Sequence, residues 1–452
     1  MDFQDNLELS LGKLKTRKKN ATKIVPFVAL AILFTLIPLY YPSLHPKKLS
    51  QVLSSSSFQS NSSYSSSTEE KNEKIITTPS SSPQINVTRS DTLVAAPQAR
   101  FINHTDEKCD LFLGEWVPNP DGPYYTNMTC FTIQEHQNCM KYGRPDRDFL
   151  KWKWKPDACE LPLFDAHQFL QLVRGKSLAF VGDSVARNHM QSLICLLSKV
   201  VYAVDVSDTT DQETKHWEYR DYNFNMSIFW APYLVKANKT EPNNTYQPFN
   251  LYLDEPDESW TTKIQDFDYV IISAGHWFFR PSMFYLNHTL VGCLFCSQPN
   301  VSQLTSFFSY QKAFQTAFRI INSLENYKGI TFLRTFAPSH FEDGVWDKGG
   351  DCVRTIPFKR NENVLDDYNL EFYKIQLQEL TIAQKEGKNK FRLFDATQSM
   401  LLRPDGHPSK YGHWPKPNVT LSNDCVHWCL PGPIDVWNDF LLELMKREAI
   451  DE

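Results

Sequence analysis

Apolar and polar positions change rhythm several times along the chain, and each change marks a different kind of segment. Residues 24–41 (IVPFVALAILFTLIPLYY) run without a charge for just long enough to span a bilayer. From 42 to 107 Ser, Thr, Asn and Pro dominate and large apolar residues are scarce, which predicts a disordered stem. Residues 108–162 carry many aromatics, including Trp116, Tyr124, Tyr125, Trp152 and Trp154, with little clear period. The compact apolar run Ser177-Leu-Ala-Phe-Val181 then ends in Gly182, and Met190, Leu193, Ile194 and Leu197 repeat at helical spacing, which reads as strand, tight turn, helix. Further strands are predicted at 224–230, where Phe224, Met226, Ile228 and Trp230 alternate, and at 269–273, 330–335 and 391–394. Tyr310, Phe314, Ala317, Phe318, Ile321 and Leu324 share one helical face, and Leu370, Tyr373, Leu377 and Leu380 another. Strands alternating with helices imply an α/β domain over 163–452, with a mostly parallel sheet covered on both sides. In such sheets the working residues sit in loops at the carboxyl ends of strands. Three such loops are Gly182-Asp183-Ser184, Gly275-His276-Trp277 and Ala337-Pro338-Ser339-His340.

Charge sets the orientation of the apolar segment. Lys13, Lys15, Arg17, Lys18, Lys19 and Lys23 precede it, which keeps 1–23 in the cytosol and puts the remainder in a lumen as a type II protein. A cleaved signal peptide is the alternative, against which stand the long leading segment and the poor cleavage site at Tyr40-Tyr41-Pro42. The short span, with Pro26 and Pro38, suits a thin early secretory membrane. A net charge of −5 gives no broad positive field, so nucleic acid is excluded as a partner and an uncharged polymer fits better. All ten cysteines follow the apolar segment, as do sequons from Asn61 to Asn418, in keeping with an oxidising compartment and a glycoprotein. Disulfides are expected to substitute for a large core in 108–162. Cys293-Leu294-Phe295-Cys296, lacking a second such pair, reads as a loop disulfide rather than zinc.

Ser184 stands at the turn from a buried strand into an amphipathic helix, where a hydroxyl is exposed and free N–H groups can stabilise negative charge. That is a nucleophile's position; the plain alternative is that Ser184 caps the helix. A serine nucleophile needs a base and a group that holds the base. Asp424-Cys425-Val426-His427 offers both, ahead of a final helix striped by Ile434, Trp437, Leu441, Leu444 and Met445. A rival pair, Asp405 and His407, ranks second because Gly406 and Pro408 make it a turn that no cysteine clamps. His189, His276, His340 and His413 lack a neighbouring acid in sequence and read as structural.

Phe180-Val-Gly-Asp-Ser-Val-Ala-Arg-Asn188 and Asp424-Cys-Val-His-Trp-Cys-Leu-Pro-Gly432 resemble the two signatures of the plant trichome birefringence-like family. Cys109-Asp-Leu-Phe, Pro123-Tyr-Tyr-Thr126, Gly143-Arg-Pro-Asp146 and Trp152-Lys-Trp-Lys-Pro156 resemble its N-terminal section. The resemblance implies a three-layer SGNH-hydrolase-like fold behind a small disulfide-rich lobe and a Golgi membrane anchor. It implies polysaccharide O-acetylation through a Ser184, His427 and Asp424 triad, with no metal and no bound cofactor. The acetyl donor would be acetyl-CoA or another acetyl carrier, and an acetyl-donor transporter is a candidate partner. The cell-wall acceptor would be xyloglucan side-chain galactose, with glucomannan as the runner-up; a deacetylating esterase and a wall-binding protein with a dead site are the other classes. Arg187 and Asn188 match the family's Gly-Asp-Ser-x-x-Arg-Asn pattern and would assist the oxyanion or the donor, unless Arg187 only binds carboxylates structurally. The wider superfamily takes an oxyanion donor from Gly-x-Asn, but the corresponding loop here is Ser273-Ala-Gly-His-Trp277, so His276 becomes a candidate. The family pattern also suggests the pairings Cys109–Cys159, Cys130–Cys195, Cys139–Cys429 and Cys352–Cys425. Trp277, Trp346 and Trp414 are candidate sugar-stacking residues.

Overall fold

The computed structural model describes residues 109–208, 214–240, 248–415 and 422–451. The expected cytosolic tail, anchor and stem (1–107) lie outside them. Among the described residues no helix is long and apolar enough to cross a membrane.

The chain opens with a two-stranded antiparallel ribbon, β1 (Gly114–Pro118) on β2 (Trp152–Pro156). There follow β3 (Ser177–Gly182), β4 (Val204–Asp205), β5 (Thr214–Tyr219), β6 (Phe224–Trp230), β7 (Val235–Lys239) and β8 (Phe249–Pro256). The last five strands are β9 (Tyr269–Ser273), β10 (Ser282–Leu286), β11 (Thr289–Leu294), β12 (Ile330–Arg334) and β13 (Lys390–Phe394). Seven of these form the main sheet in the order β13-β12-β9-β3-β6-β5-β4. Its first five strands are parallel, and β5 and β4 extend one edge antiparallel.

Two-residue alternation splits the buried strands between two cores. Leu178 and Phe180 of β3 pack into one core with the helices Ala166–Leu172, Ser184–Leu197 and Val436–Asp451. Ala179 and Val181 face the other, against the helices Ser306–Ser323 and Asp367–Glu386. The result is a three-layer mixed α/β domain. A four-stranded sheet of order β11-β10-β8-β7, which the sequence reading did not anticipate, joins this second core through Leu251 and Phe284.

The N-terminal lobe corrects one expectation. Its crosslinks do not stand in for a core: Leu111, Trp116, Tyr125, Ile133 and Trp154 are buried in the first core of the main domain. Truncating the fully buried Trp154 to alanine would cost about 3–5 kcal/mol. Disulfides join Cys109 to Cys159, Cys130 to Cys195, Cys139 to Cys429, Cys293 to Cys296 and Cys352 to Cys425.

Candidate active site

Gly182 ends β3 at φ +154, and a Cβ there would lie 1.8 Å from the Ser273 carbonyl oxygen, so the turn into the next helix requires glycine. Asp183 caps that helix: its Oδ1 accepts the Val185 N–H at 2.9 Å. Its Oδ2 accepts the N–H of Gly275 at 2.9 Å and of His276 at 3.3 Å, bracing the loop after β9 against the loop after β3. Because the acid does the capping, Ser184 is not the helix cap. It is the first helical residue, half-buried, at the positive end of the helix dipole.

The tail loop is tied down on several sides. Cys352 and Cys139 crosslink Cys425 and Cys429. Asp424 exchanges backbone hydrogen bonds with Ser409 at 2.8 and 3.0 Å, and the Leu430 N–H donates to the Gln137 carbonyl at 2.8 Å. Within the loop, Asp424 Oδ1 accepts the His427 N–H at 3.0 Å, and Oδ2 faces His427 Nδ1 at 2.8 Å. Opposite a carboxylate Nδ1 must carry the proton, so Nε2 of the neutral ring is a free lone pair; it is buried and has no hydrogen-bond partner. Burial pushes the His427 pKa down, but the Asp424 charge and hydrogen bond outweigh it, and the net shift is upward. Burial likewise pushes Asp424 up, while the facing His427 holds it well below the usual carboxylate range.

Asn188 carries the tail to the nucleophile's helix. One turn beyond Ser184, its Oδ1 accepts the Trp428 N–H at 2.7 Å and its Nδ2 donates to the Trp428 carbonyl at 3.3 Å. His427, the adjacent residue, accordingly feels the charges of Asp183 and Arg187 on either side of Ser184. The Asn188 bonds bring the tail loop to the helix that Ser184 begins; Ser184 Oγ and His427 Nε2 are not hydrogen-bonded to each other.

Other expected residues take different parts. Asn188 spends its Oδ1 and one Nδ2 hydrogen on Trp428, which makes it a positioning residue. His276 is also withdrawn from that role: its backbone N–H goes to Asp183, and its Nε2–H donates to the Ala337 carbonyl at 3.0 Å. Burial pulls its pKa to about 4, so the ring is neutral. Arg187 has no carboxylate partner among the described residues and lies over the Trp230 ring at 4.6 Å. Together with the Ser184 backbone N–H it is what remains to meet an oxyanion. The rival pair dissolves, because both Asp405 oxygens bind Arg403, at 2.8 and 2.9 Å. His407 instead donates Nδ1–H to the His427 carbonyl at 2.7 Å, with its Nε2 2.7 Å from His340 Nδ1 and the Trp428 indole stacked 4.1 Å away. His189 has no hydrogen bond of the kind expected for a structural histidine; it is buried among Phe180, Phe394 and Trp437.

One residue the sequence did not single out is His136, whose ring meets the His427 ring edge-on at 5.4 Å. Burial and the nearby His427 charge pull its pKa to about 4. No pattern around it signals the contact, which the Cys139–Cys429 link creates from far along the chain. Trp346 and Trp414 are exposed by 67% and 58%, and Trp414 packs edge-on against Tyr142.

A serine at a strand-to-helix turn, an aspartate-held imidazole from the chain's tail and a doubly covered parallel sheet define an SGNH-like site of the esterase class. Family comparison agrees and is more specific. Residues 161–444 match the GDSL/SGNH-like acyl-esterase family found in Pmr5 and Cas1p, and 107–160 match the PMR5 N-terminal domain. The protein trichome birefringence-like 19 of Arabidopsis thaliana is 59% identical over 352 residues, 76% of this chain and 82% of its own length. Xyloglucan O-acetyltransferase 4 of Populus trichocarpa is 45% identical over 76% of this chain and 82% of its own length. Xyloglucan O-acetyltransferase 2 of Arabidopsis thaliana is 43% identical over 77% and 85%. The chain belongs to this Pmr5/Cas1p acyl-esterase family, among its trichome birefringence-like members.

Proposed function

We propose that the protein is a polysaccharide O-acetyltransferase working through an acetyl-serine intermediate, held in the Golgi membrane by residues 24–41 with its catalytic domain in the lumen. The observation that carries this reading is the buried, unpartnered His427 Nε2, oriented by Asp424 and pinned beside the Ser184 helix through Asn188. Ser184 Oγ attacks the acetyl carbonyl while His427 Nε2 takes its proton, and the imidazolium returns that proton to the departing donor. An acceptor hydroxyl then gives its proton to Nε2 and attacks the acetyl-serine carbonyl, and Ser184 recovers the proton as it leaves. Arg187 and the Ser184 N–H meet the oxyanion in both steps. The names of two relatives point to xyloglucan as the acceptor.

The same site with water as acceptor is an esterase, and the family description names esterases. Incubating the luminal fragment with labelled acetyl-CoA and deacetylated xyloglucan or glucomannan separates the readings. Label on xyloglucan, lost in Ser184→Ala, supports transfer; free acetate alone supports hydrolysis; label on glucomannan alone reassigns the acceptor.

A further inference from the structure

Alongside Ser184, at the carboxyl ends of β6 and β9, two arginines and two tryptophans form a continuous strip. Arg187 lies over the Trp230 ring at 4.6 Å, Trp230 meets Trp277 edge-on at 5.2 Å, and Arg280 lies over Trp277 at 3.9 Å. Trp277 is further wedged by Tyr233 and Phe249, with ring centroids at 5.9 and 5.7 Å. Among the described residues neither guanidinium has a carboxylate partner or a side-chain hydrogen bond. The acid nearest Arg187 in sequence, Asp183, spends both oxygens on the N–H groups of Val185, Gly275 and His276. Arg187 is half-buried and Arg280 exposed, so the strip runs outward from the nucleophile.

Two properties decide what it suits. Each indole has a guanidinium over its ring, so the strip offers little open face on which a pyranose could stack. That withdraws Trp277 from the sugar platform expected of it and leaves the exposed Trp414, on the His136 side, as the better sugar contact. What the strip does offer is two sets of unpaired guanidinium donors held by stacking, a geometry that matches phosphate oxygens.

We propose that Arg280, at the outer end of the strip Arg187–Trp230–Trp277–Arg280, seats the phosphate-bearing leaving group of the acyl donor, while Arg187 at the inner end stays with the oxyanion and the acyl end lies at Ser184. This rests on the acetyl-serine reading above and adds the donor's chemical class and the side from which it enters. The donor then enters along Arg280, and the sugar is left the separate surface at Trp414.

The test compares three acetyl donors on the luminal domain: acetyl-CoA, acetyl-pantetheine, which lacks the nucleotide phosphates, and neutral para-nitrophenyl acetate. In wild type, acetyl-CoA has the higher kcat/KM of the two thioesters, and added salt erodes the difference. Arg280→Gln loses about tenfold in kcat/KM for acetyl-CoA, the size of one charge-assisted hydrogen bond, and Arg280→Glu loses more. Arg280→Lys recovers part of the loss, and all three variants keep the wild-type rate with para-nitrophenyl acetate. Equal loss with all donors, or no loss with acetyl-CoA, overturns the proposal; so does a rise confined to the KM of a polymer carrying carboxylates, which makes the strip an acceptor site. A Ser184→Ala variant that still transfers acetyl sinks the acetyl-serine reading instead, whatever Arg280 does.

Discussion

Asn188 and Trp428 are joined by a reciprocal pair of hydrogen bonds, side-chain amide to backbone amide, across 240 residues of sequence. Among the described residues no other side chain of the nucleophile's helix hydrogen-bonds the loop of the base. Asn188→Ala therefore lowers kcat about 10–100-fold with KM little changed, because the imidazole loses its registration on Ser184. It also costs about 1–3 kcal/mol, since the Trp428 N–H and carbonyl are left buried and unpaired. Asn188→Asp keeps the acceptor but not the donor and falls between the two. Unaltered kcat in a folded Asn188→Ala enzyme would remove Asn188 from the positioning of the base.

The two late histidines differ in kind, and activity assays separate them. His427→Ala loses about 10⁴ in kcat, the scale of a missing triad base. His407→Gln keeps measurable turnover, reduced about 10–100-fold, because His407 acts only by holding the His427 carbonyl from below. A dead His407 variant beside an active His427 variant would reverse the assignment.

The pH profile follows from the Asp424–His427 pair. Attack needs a neutral His427, and Asp424 raises its pKa above the ordinary value of about 6.5. The acid limb of kcat/KM therefore lies above pH 6.5, with activity rising through it. In Asp424→Asn the upward pull disappears while burial remains, so the limb moves to lower pH as the maximal rate falls about 10⁴-fold from the lost tautomer control. An acid limb unmoved by Asp424→Asn would assign it to another group.

Much of the frame was legible in the sequence because its strands are short, mostly buried and bounded by turns. The five parallel strands of the main sheet coincide with the apolar runs at 177–181, 224–230, 269–273, 330–335 and 391–394. The four-stranded sheet went unread although Phe249, Leu251 and Leu253 alternate, because polar strands such as Val235–Lys239 hide their partners. At the site, residues with a local sequence signal were found: Ser184 after Gly182-Asp183, and Asp424 three positions before His427. Residues whose part depends on long-range packing were not. Whether Asn188 faces an oxyanion or Trp428, and whether His136 meets His427, is decided by contacts from 240 to 290 residues away.

Mild acid acts on the stability of this fold from two sides. Tyr125 and Ser192 donate to the buried Asp435, and Tyr124 and the Phe164 N–H donate to Asp439, joining the lobe to the last helix. Burial nevertheless raises the Asp435 pKa to about 6 and pushes Asp439 up as well. Against an unfolded value of about 3.9, the native state binds the extra proton, so this contribution to stability falls as pH rises between about 4 and 6, by about 3 kcal/mol for Asp435. His427, also raised, contributes in the same direction: its stabilisation is complete below about pH 6.5 and is lost as pH rises through its folded value. Five other histidines pull the other way: burial lowers the pKa of His136, His189, His276, His340 and His407, so the unfolded chain takes up their protons first and stability falls as pH drops below about 6.5. Thermal melts should therefore show a lower Tm at pH 5.5 than at 7.5, and Asp435→Asn, which removes an opposing proton uptake, should steepen that fall; a higher Tm at pH 5.5 would mean that Asp435, Asp439 and His427 outweigh the five histidines.

The loop that holds the base depends on two disulfides. Cys139–Cys429 closes a loop with a sequence separation of 290 and Cys352–Cys425 one of 73, and both anchor the short stretch containing His427. The sheet does not depend on them, since β3, β6, β9, β12 and β13 are held by their own ladders and two apolar cores. Loss of either crosslink therefore frees the catalytic loop before it melts the domain, although long closed loops also stabilise by about 3–5 kcal/mol against unfolding. Cys352→Ser/Cys425→Ser should retain the far-ultraviolet spectrum and a cooperative melt at lowered Tm while losing most of its turnover. Full activity in that double variant, with the pair verified absent, would show that Cys139–Cys429, Asn188 and Ser409 suffice to hold His427 in place.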